Sequence, residues 1–447
     1  MAISDIRSYS HLTEADVAAI GARLDEIERE IREDLGPRDA RYIRTLIRVQ
    51  RGLEVAGRAA LMVPRSRVAW WGGAASLSLA KILENLEIGH NTMHGQWDWM
   101  NDPEIHSATW EWDNACPAGG WKHSHNFVHH KYTNVLGMDN DVGYGILRVT
   151  REKRWTPQHL LQPVTNIVLA SLFQWAVAFY DVELGRVAAG KKPWAEAKPQ
   201  LMEVFAKSGR QLLKDYVLFP LLAGPRYAEV AKANAVANYV RSVWAYAVIF
   251  CGHFPDDAET FTKEQYRTEN HNEWYLRQML GSANFRGGFL LSVLSGNLNY
   301  QIEHHLFPDM PSNRLAEASV KVRQLCEEYD LPYNTGSFPA QFLQVQRTLL
   351  KLSLPNRFLV ADPDNAPEVR SEAAFAKHPE VEARLDANAS PRRGLRTGLR
   401  MLKALRPGLR EIVDAYTGRS TRRRRPVGET GAAQAAPAAV SAASAAR

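Results

Sequence analysis

The sequence contains little cysteine and lacks several motifs that would assign a chemistry directly. Its three cysteines, Cys116, Cys251 and Cys326, are widely separated and form no CxxC pair. We therefore expect no disulfide framework, zinc ribbon or iron–sulfur site within the chain, and a reducing compartment is the natural inference. A glycine-rich nucleotide fingerprint is missing, and the N-terminal stretch has no apolar core of a secretory signal.

Long hydrophobic runs are also few, and the mean hydropathy of the chain is -0.33. Three runs are long enough to cross a bilayer, at 68–88, 160–180 and 234–254. A fourth run, 216–224, is short and is broken by Pro220, so we expect it to be re-entrant or interfacial. The runs, and not the average hydropathy, predict a membrane protein.

The number of crossings stays open on the N-terminal side. A helix predicted at 42–63 carries Arg44, Arg48, Arg51 and Arg58 along one stripe, which is typical of a helix lying on a membrane surface. A single crossing at 68–88 would place these arginines on the side that the positive-inside rule disfavours. Either 42–63 is a poor second crossing, or one of the two segments does not cross.

Two soluble helices are predicted outside these runs. Thr13 and Asp16 resemble a capping box before a charged helix. The proline-bounded loop after residue 305 leads into an amphipathic helix expected from about Arg314 to Tyr329.

Positive charge is concentrated at the C-terminal end. Residues 366–447 hold sixteen Lys or Arg and eight Asp or Glu, a net charge of +8 against +6 for the whole chain. We expect this tail to be largely disordered and to contact anionic lipid headgroups, and we do not expect a nucleic acid as partner. The predicted domains are N-terminal cytosolic or interfacial helices at 1–66, a membrane core at 67–365 and the basic tail at 366–447.

Eight of the fourteen histidines fall into three boxes, GHNTMH, HNFVHH and NYQIEHH, and one isolated position in FCGHF. Residues four apart on a helix share a face, so His90 with His94, and His125 with His129, can direct paired imidazoles at one point. The full set is too large for one tetrahedral zinc and suits two metal ions, with iron among the candidates. The predicted ligands are His90, His94, His125, His129, His130, His253, Gln301, His304 and His305.

Two divalent ions held by neutral imidazoles need carboxylates nearby to balance their charge. Such carboxylates also accept the outer N–H of a ligating histidine and fix its tautomer. Acidic residues follow or lie within each box: Asp98, Asp102, Asp139, Asp141, Asp256, Asp257 and Glu303. Among them, we expect Asp98, Asp139, Asp141 and Glu303 to support the ligands.

The boxes HxxxH, HxxxHH and QxxHH, with the surrounding HNFVHHKYTNVLGMDNDVGYG and NLNYQIEHHLFPDMPSNRL, resemble the membrane fatty-acid desaturase family. The resemblance covers roughly residues 1–365. It implies an all-α membrane protein whose transmembrane helices bear a cytosolic helical cap, with the box histidines and His253 as ligands of two iron ions. It also implies a multi-pass location in the cell (inner) membrane, with the active site on the cytoplasmic side.

The implied activity is an oxygen-dependent insertion of a cis double bond into a long-chain acyl-CoA. The wider similarity favours the ninth carbon of stearoyl-CoA or palmitoyl-CoA. Gln301 lies where animal acyl-CoA desaturases have histidine, and glutamine there is typical of front-end desaturases, which act near the carboxyl end. No HPGG motif of a fused haem domain is present, so we expect the electrons to come from a separate reductase. The resemblance implies that this reductase uses NADPH and carries flavin and iron–sulfur groups.

Three other interpretations compete with a desaturase. A diiron membrane hydroxylase or ketolase shares the histidine boxes and differs only in its product. A soluble carboxylate-bridged desaturase needs paired ExxH motifs, and only Glu87 with His90 forms one. A non-enzymatic metal-binding membrane protein would tolerate the loss of one histidine.

Overall fold

Helices account for nearly all regular structure in the computed structural model, which describes residues 6–356. The tail at 366–447 lies outside the described residues. The longer helices and the box-three helix are α1 (Glu14–Glu33), α2 (Pro37–Met62), α3 (Arg67–Leu83), α4 (Gln162–Ser171), α5 (Phe173–Tyr180), α6 (Trp194–Leu213), α7 (Tyr227–His253), α8 (His271–Leu280), α9 (Gln301–Leu306), α10 (Leu315–Glu328) and α11 (Phe338–Leu352).

Shorter elements connect these helices. Three π-helical segments each continue from an α-helix, at Glu84–His90, Lys122–His129 and Lys214–Leu218. Single-turn and other short α-helices occupy Asn91–Met93, Ala118–Trp121, His130–Tyr132, Leu184–Ala188, Phe219–Leu222, Lys263–Thr268 and Phe289–Leu294. Segments of 3₁₀-helix occupy Arg7–Tyr9, Asp98–Met100, Val142–Gly145, Pro157–Leu161, Gly224–Arg226, Leu298–Tyr300 and Ser312–Arg314.

Two predicted soluble helices are confirmed. The Thr13 backbone N–H donates to Asp16 at 2.8 Å and the Asp16 N–H donates back to the Thr13 hydroxyl at 3.2 Å, which completes the capping box of α1. The amphipathic helix expected from Arg314 is α10, which begins one residue later. Both helices bury apolar faces in one core, where Ile20 and Leu24 of α1 belong to the same cluster as Leu315 and Ala318 of α10.

Helices α2, α3 and α7 pack side by side. A Cβ atom at Gly57 of α2 would lie 2.8 Å from Leu77 Cγ, and one at Gly73 of α3 would lie 3.0 Å from the Gly57 carbonyl oxygen. Glycine at both positions therefore permits the close approach of α2 and α3. Leu77 also packs with Ala233 and Ala237 of α7, and these contacts fix the helices that lead into box one and to His253.

No single helix among residues 6–356 has both the length and the apolar composition needed to cross a membrane. The predicted run 68–88 is helical throughout, and 234–254 lies in α7, where Asn238 and Arg241 interrupt the apolar sequence. The run 160–180 is not one straight segment. It divides at Leu172 into a bent pair, Pro157–Ser171 and Phe173–Tyr180, which meets the length and composition test together with a 95° bend between its halves.

A small β element accompanies the helices, and the fold is mostly helical as predicted. Strands β1 (Asn284–Arg286) and β2 (Thr335–Ser337) pair in parallel, with Phe285 opposite Gly336. Strands of three residues leave no alternating pattern in the sequence, so periodicity could not have revealed them. The chain between them contains box three, and the pairing therefore closes the segment that holds α9 and α10.

Candidate metal centre

Histidines of two of the three boxes lie on π-helical turns. His90 of box one is the last residue of Glu84–His90, and box two has His125 and His129 within Lys122–His129. Such wide turns, with i to i+5 hydrogen bonding, are rare and occur mainly at functional sites. The four-residue spacing of the sequence still brings the two rings of box two together, with centroids 5.0 Å apart.

The first ligand set combines all three boxes. His90, His94, His125 and His304 each offer a ring nitrogen, and these atoms all lie within 4.8 Å of one another. The Nε2 atoms of His90 and His125 are 3.3 Å apart. His90, His94 and His304 are buried, and the ring of Trp121 stacks on His125 with centroids 4.4 Å apart. Four imidazoles therefore converge on one point shielded from water.

The second ligand set lies beside the first. His129, His253 and His305 also place ring nitrogens within 4.8 Å of one another, and all three are buried. Gln301 reaches the same point from the start of α9, with its Nε2 atom 3.1 Å from His253 Nε2. His253 is the last residue of α7, so the isolated histidine of the sequence arrives where the boxes meet.

His130 lies between the two sets. Its ring stacks on His305 with centroids 4.4 Å apart and meets the edge of His94 at 4.7 Å. Neither ring nitrogen of His130 has a hydrogen-bond partner among the described residues. It is therefore placed to serve either set.

The donor atoms fit metal ions better than a hydrogen-bonded core. Within residues 6–356, His94, His129 and His305 each have a buried Nε2 without a partner, and neither nitrogen of His304 has one. Buried polar atoms are nearly always hydrogen-bonded, so a cluster of orphaned ring nitrogens points to another kind of partner. Seven imidazoles in two converging sets match the coordination of two metal ions, and imidazole suits iron among others.

Electrostatics keep most of these rings in the form that binds metal. Burial lowers the pKa of His94, His130, His304 and His305 well below the usual histidine value, so these imidazoles are neutral at pH 7. Burial also lowers the pKa of His129, but the carboxylates of Asp139 and Asp141 outweigh it and raise that pKa overall. These carboxylates thus supply negative charge beside the second set, where it would balance the charge of a metal ion.

Comparison with known proteins agrees with this geometry. A sequence profile described as fatty acid desaturase matches residues 67–337. The chain belongs to the fatty acid desaturase family. It is 54% identical over 410 residues to an NADPH-dependent stearoyl-CoA 9-desaturase of Mycobacterium tuberculosis, a match that covers 91% of this chain and 96% of that relative. It is therefore an oxidoreductase of lipid metabolism.

More distant relatives act on other positions. The desaturase is 26% identical to an sn-1 linoleoyl-lipid 6-desaturase of Synechocystis, over 58% of this chain and 74% of that protein. It is 23% identical to an acyl-lipid (8-3)-desaturase of Mortierella alpina, over 55% of this chain and 57% of that protein. Membership of the family alone therefore does not determine the position of the double bond.

Two of the predicted supporting carboxylates lie against box two of the desaturase. Both carboxylate oxygens of Asp139 are 3.1 Å from His129 Nδ1. Asp141 is 3.5 Å from His125 Nδ1 and 3.7 Å from His129 Nδ1. Burial raises the pKa of Asp141 to about 7, against the opposing effect of His129. These contacts orient the rings from the side away from the converging nitrogens.

The other two predicted supports lie elsewhere, which corrects those assignments. Asp98 accepts hydrogen bonds from the Ser107 backbone N–H at 2.7 Å and hydroxyl at 2.5 Å, and it caps a loop. Glu303 precedes His304 by one residue, so it projects from a different face of α9. Its carboxylate accepts hydrogen bonds from Asn284 and Tyr333, each at 2.8 Å. Asp102 pairs with Arg44 and Asp256 with Arg347, away from the rings.

Sequence reasoning missed several neutral partners of the rings. Asn91 places its Oδ1 atom 3.0 Å from His90 Nδ1. His305 Nδ1 lies 3.1 Å from Gln278 Oε1 and 3.2 Å from the Thr133 hydroxyl. Asn91 and Thr133 lie within or just after their boxes and could have been suspected, whereas Gln278 comes from α8 and carries no local signal.

A buried carboxylate also links the boxes. Glu87 accepts hydrogen bonds from the hydroxyls of Tyr42 at 2.9 Å and Ser312 at 2.6 Å, and from the Asn297 amide at 3.0 Å. Tyr42 belongs to α2, Asn297 precedes box three and Ser312 follows it. Glu87 thereby fixes box one against both flanks of box three.

Two cavities near the metal centre share a pair of tyrosines. An open groove of about 740 Å³ is lined by Tyr144, Tyr180, Lys153 and Arg186 among others. A narrower cavity shares Tyr144 and Tyr180 with this groove and is also lined by His90, His125 and Asp141. The remaining wall of the narrow cavity is mostly apolar, with Leu86, Trp112, Phe173, Val177 and Ile249.

Proposed function

We propose that this chain is an oxygen-dependent desaturase that introduces a cis double bond at the ninth carbon of a long-chain acyl-CoA, stearoyl-CoA or palmitoyl-CoA. The observation that carries the proposal is the pair of buried imidazole sets beside an apolar cavity. The relative with 54% identity, named for stearoyl-CoA and position nine, supports the substrate and the position.

Two iron ions fit the two sets. His90, His94, His125 and His304 would hold one ion, and His129, His253 and His305 the other, with His130 between them and Gln301 beside His253. When bound, the iron pair supplies the activation of dioxygen that hydrogen removal from an unactivated methylene requires. Asp139 and Asp141 hold the rings of box two in orientation and offset the charge of the ions.

The protein must also hold the chain with one pair of carbons at the metals. A polymethylene chain entering from the open groove would pass Tyr144 and Tyr180 and reach His90 and His125 in the narrow cavity. Holding the chain there converts a bimolecular step into an effectively unimolecular one, and this is how positioning raises the rate. Apolar walls such as Leu86 and Phe173 exclude water from the reacting carbons.

Electrons for the reaction would come from a separate NADPH-dependent reductase that carries flavin and iron–sulfur groups. The name of the Mycobacterium tuberculosis relative states its NADPH dependence. The three cysteines of this chain are buried and form no disulfide. We propose that the flavin and iron–sulfur groups belong to a separate partner protein.

We further propose a multi-pass location in the cell inner membrane, with the metal centre on the cytoplasmic side. Large apolar side chains are exposed on several elements, including Ile167 at 66%, Leu222 at 74% and Phe289 at 77%. Exposed apolar surface of this extent is typical of contact with lipid or another protein. The basic tail at 366–447 would add contacts with anionic headgroups.

The test is fatty-acid analysis of a desaturase-deficient host that expresses this chain with a reductase, beside the His129→Ala variant. A monoene at the ninth carbon that is absent with the variant would support the proposal. A bond near the carboxyl end would instead favour a front-end desaturase, the second candidate, for which Gln301 in the second ligand set is the specific indication. A hydroxylated product, or equal products from both proteins, would contradict the desaturase.

A further inference from the structure

The helical segment that carries box two has an outer face as well as an inner one. His125 and His129 face inward, where their ring nitrogens belong to the two ligand sets. His123, Phe127 and Lys131 recur at the same four-residue interval but two positions out of step, so they lie on the opposite side of the helix. We name these three residues the outer stripe. All three are exposed.

The outer stripe consists of two stacked rings and one cation. The rings of His123 and Phe127 stack with centroids 5.9 Å apart. The Lys131 ammonium lies 5.2 Å from the centroid of the Phe127 ring and 5.4 Å from that of Tyr132. Phe127 remains 56% exposed, and among residues 6–356 it is the only exposed large apolar side chain within two residues of a predicted ligand. An exposed ring therefore lies directly outside the buried imidazoles.

A groove of about 680 Å³ runs beside the outer stripe. The next row of side chains on the same helix, Ser124, Val128 and Tyr132, lines one of its walls. Its charged lining residues are Arg186, Lys191, Lys192, Lys263, Asp181 and Glu183. Arg186 and Lys192 pair with Glu183, at 2.8 Å and 3.4 Å, whereas Lys191 and Lys263 are exposed. The groove and the outer stripe together present an excess of positive charge.

The proposed reaction needs electrons from outside the chain. Removing two hydrogens from a –CH₂–CH₂– unit releases two electrons and two protons, whereas reducing one O₂ to two water molecules consumes four of each. Two electrons and two protons must therefore enter in every turnover, and oxidation of one NADPH to NADP⁺ supplies the electrons. The ligand sets are largely buried, so the redox group of the donor cannot touch them. It must approach a surface from which the path to the rings is short.

The outer stripe offers such a path. Phe127 is two residues from His125 and two from His129, which places their Cα atoms about 5 Å apart on a helix. Arg277 of α8 donates a hydrogen bond to the Lys131 carbonyl oxygen at 2.8 Å and so fixes the end of the segment. Electron transfer slows steeply with distance. A donor at the Phe127 ring would therefore reach both ligand sets by a short, fixed route.

The chemistry of this surface matches an acidic protein partner. Interfaces of electron carriers are small and transient, and interface cores are enriched in aromatic side chains. Charges at the rim steer the partner into place. The exposed Phe127 ring and the surrounding lysines supply both features. A cation over the ring also distinguishes this surface from the apolar surface proposed to face lipid.

We propose that the outer stripe and the adjoining groove are the docking surface for the protein that delivers the electrons, with Phe127 at the centre of the contact. The partner presents acidic side chains around its redox group. This inference rests on the proposed function, since it assumes an external electron donor. It assigns to box two a role on its outer face in addition to metal binding on its inner face.

The test uses the iron-loaded enzyme and the purified NADPH-dependent reductase that supports it in the host. Lys131→Glu reverses the charge of the outer stripe, and it should raise the Kd and the KM for the reductase by about tenfold. Phe127→Ala removes the central ring and should raise both by a similar factor. Lys131→Arg keeps the charge and should keep the wild-type values. Added salt should weaken binding of the wild type more than that of Lys131→Glu.

Two matched controls lie on other helices. Lys232→Glu makes the same charge reversal at a side chain that is 66% exposed, roughly 30 Å before His253 along α7. Phe205→Ala removes a ring of α6 that is also 56% exposed. Neither change should alter the Kd or the KM for the reductase.

A chemical reductant separates docking from chemistry. After full reduction with dithionite and one exposure to O₂, Lys131→Glu and Phe127→Ala should form as much monoene per enzyme as the wild type. A loss of this yield as large as the loss with the reductase would place the defect at the metals and overturn the inference. Unchanged Kd and KM for the reductase in both variants would also overturn it.

Two further outcomes separate the partner from the substrate. A rise in the KM for acyl-CoA without any change for the reductase would assign the surface to the phosphates of the carrier, against the inference. A wild type that forms no monoene even after chemical reduction would overturn the proposed desaturase function. The Kd for the reductase, compared between the wild type and Lys131→Glu, would still decide whether the outer stripe is the docking surface.

Discussion

Asp139 holds His129 through both of its carboxylate oxygens, each 3.1 Å from His129 Nδ1. The same carboxylate accepts the backbone N–H of Asn134 and that of Asp141, each at 2.8 Å. Because the loop after box two holds the carboxylate on its far side, His129 can direct only its Nε2 atom toward the second ligand set. This acidic contact fixes the tautomer of one ligand and supplies charge to its metal.

Asp139→Asn should therefore weaken iron binding. An amide keeps one acceptor but turns an NH₂ group toward backbone N–H donors, so the orientation of His129 is lost. Removing such an outer partner typically costs about 10–100-fold in metal affinity or activity. Iron content per chain and the turnover rate measure the effect. Asp98→Asn is the matched control. Asp98 accepts a hydrogen bond from the Ser107 backbone N–H, so this variant should leave the iron content unchanged.

Glu87→Gln should loosen the connection between box one and box three. The carboxylate accepts three hydrogen bonds, and an amide at this buried position must either set its NH₂ group against the Asn297 NH₂ group or force the Ser312 and Tyr42 hydroxyls to turn and accept. A buried group left unsatisfied costs about 1–3 kcal/mol, so the free energy of unfolding should fall by about that amount. Tyr42→Phe removes only one of the hydrogen bonds and should cost less. Equal stability of Glu87→Gln and the wild type in thermal unfolding would contradict this role.

The sequence alone predicts which residues gather at the candidate metal centre, and it predicts much of the helical fold. The spacing of His90 with His94 predicts that these rings converge, because four-residue neighbours share a helix face. The spacing of His125 with His129 brings those rings together, but the structure divides them between the two ligand sets. Box two keeps this spacing on a π-helical turn, which no pattern in the sequence predicts. Whether the assembled residues bind iron stays a prediction that the experiments above address.

Contacts between distant segments were beyond prediction. Glu303 was expected beside a ligand because it adjoins His304, yet the one-residue step on α9 turns it toward Tyr333. Gln278 reaches His305 from another helix, and no local pattern announces such a contact. The break at Leu172 was hidden within an apolar run, since composition reports length and not direction.

Removal of iron should destabilise the protein as well as inactivate it. Without metal, the ring nitrogens of His94, His304 and His305 have no hydrogen-bond partner among residues 6–356. A ligand at about 100 times its dissociation constant stabilises the folded state by about 2.7 kcal/mol, so chelation should lower the thermal unfolding temperature. Ferrous ion should restore it. An unfolding temperature unaffected by chelation in iron-loaded protein would show that the rings pack stably without metal.

Gly252→Ala should act on the metal centre through Gln301. A Cβ atom at Gly252 would lie 2.9 Å from both Gln301 Cγ and Cδ, so the glutamine must shift away from His253. Gln301→Ala removes the same side chain directly, and each single change should lower iron retention by a similar factor. Residues that act through one contact are not additive, so the double variant should be no worse than Gln301→Ala alone. If the two losses multiply instead, Gly252 supports the site by a route other than Gln301. Iron content after dialysis against a chelator, measured for the two single variants and the double variant, decides between these outcomes.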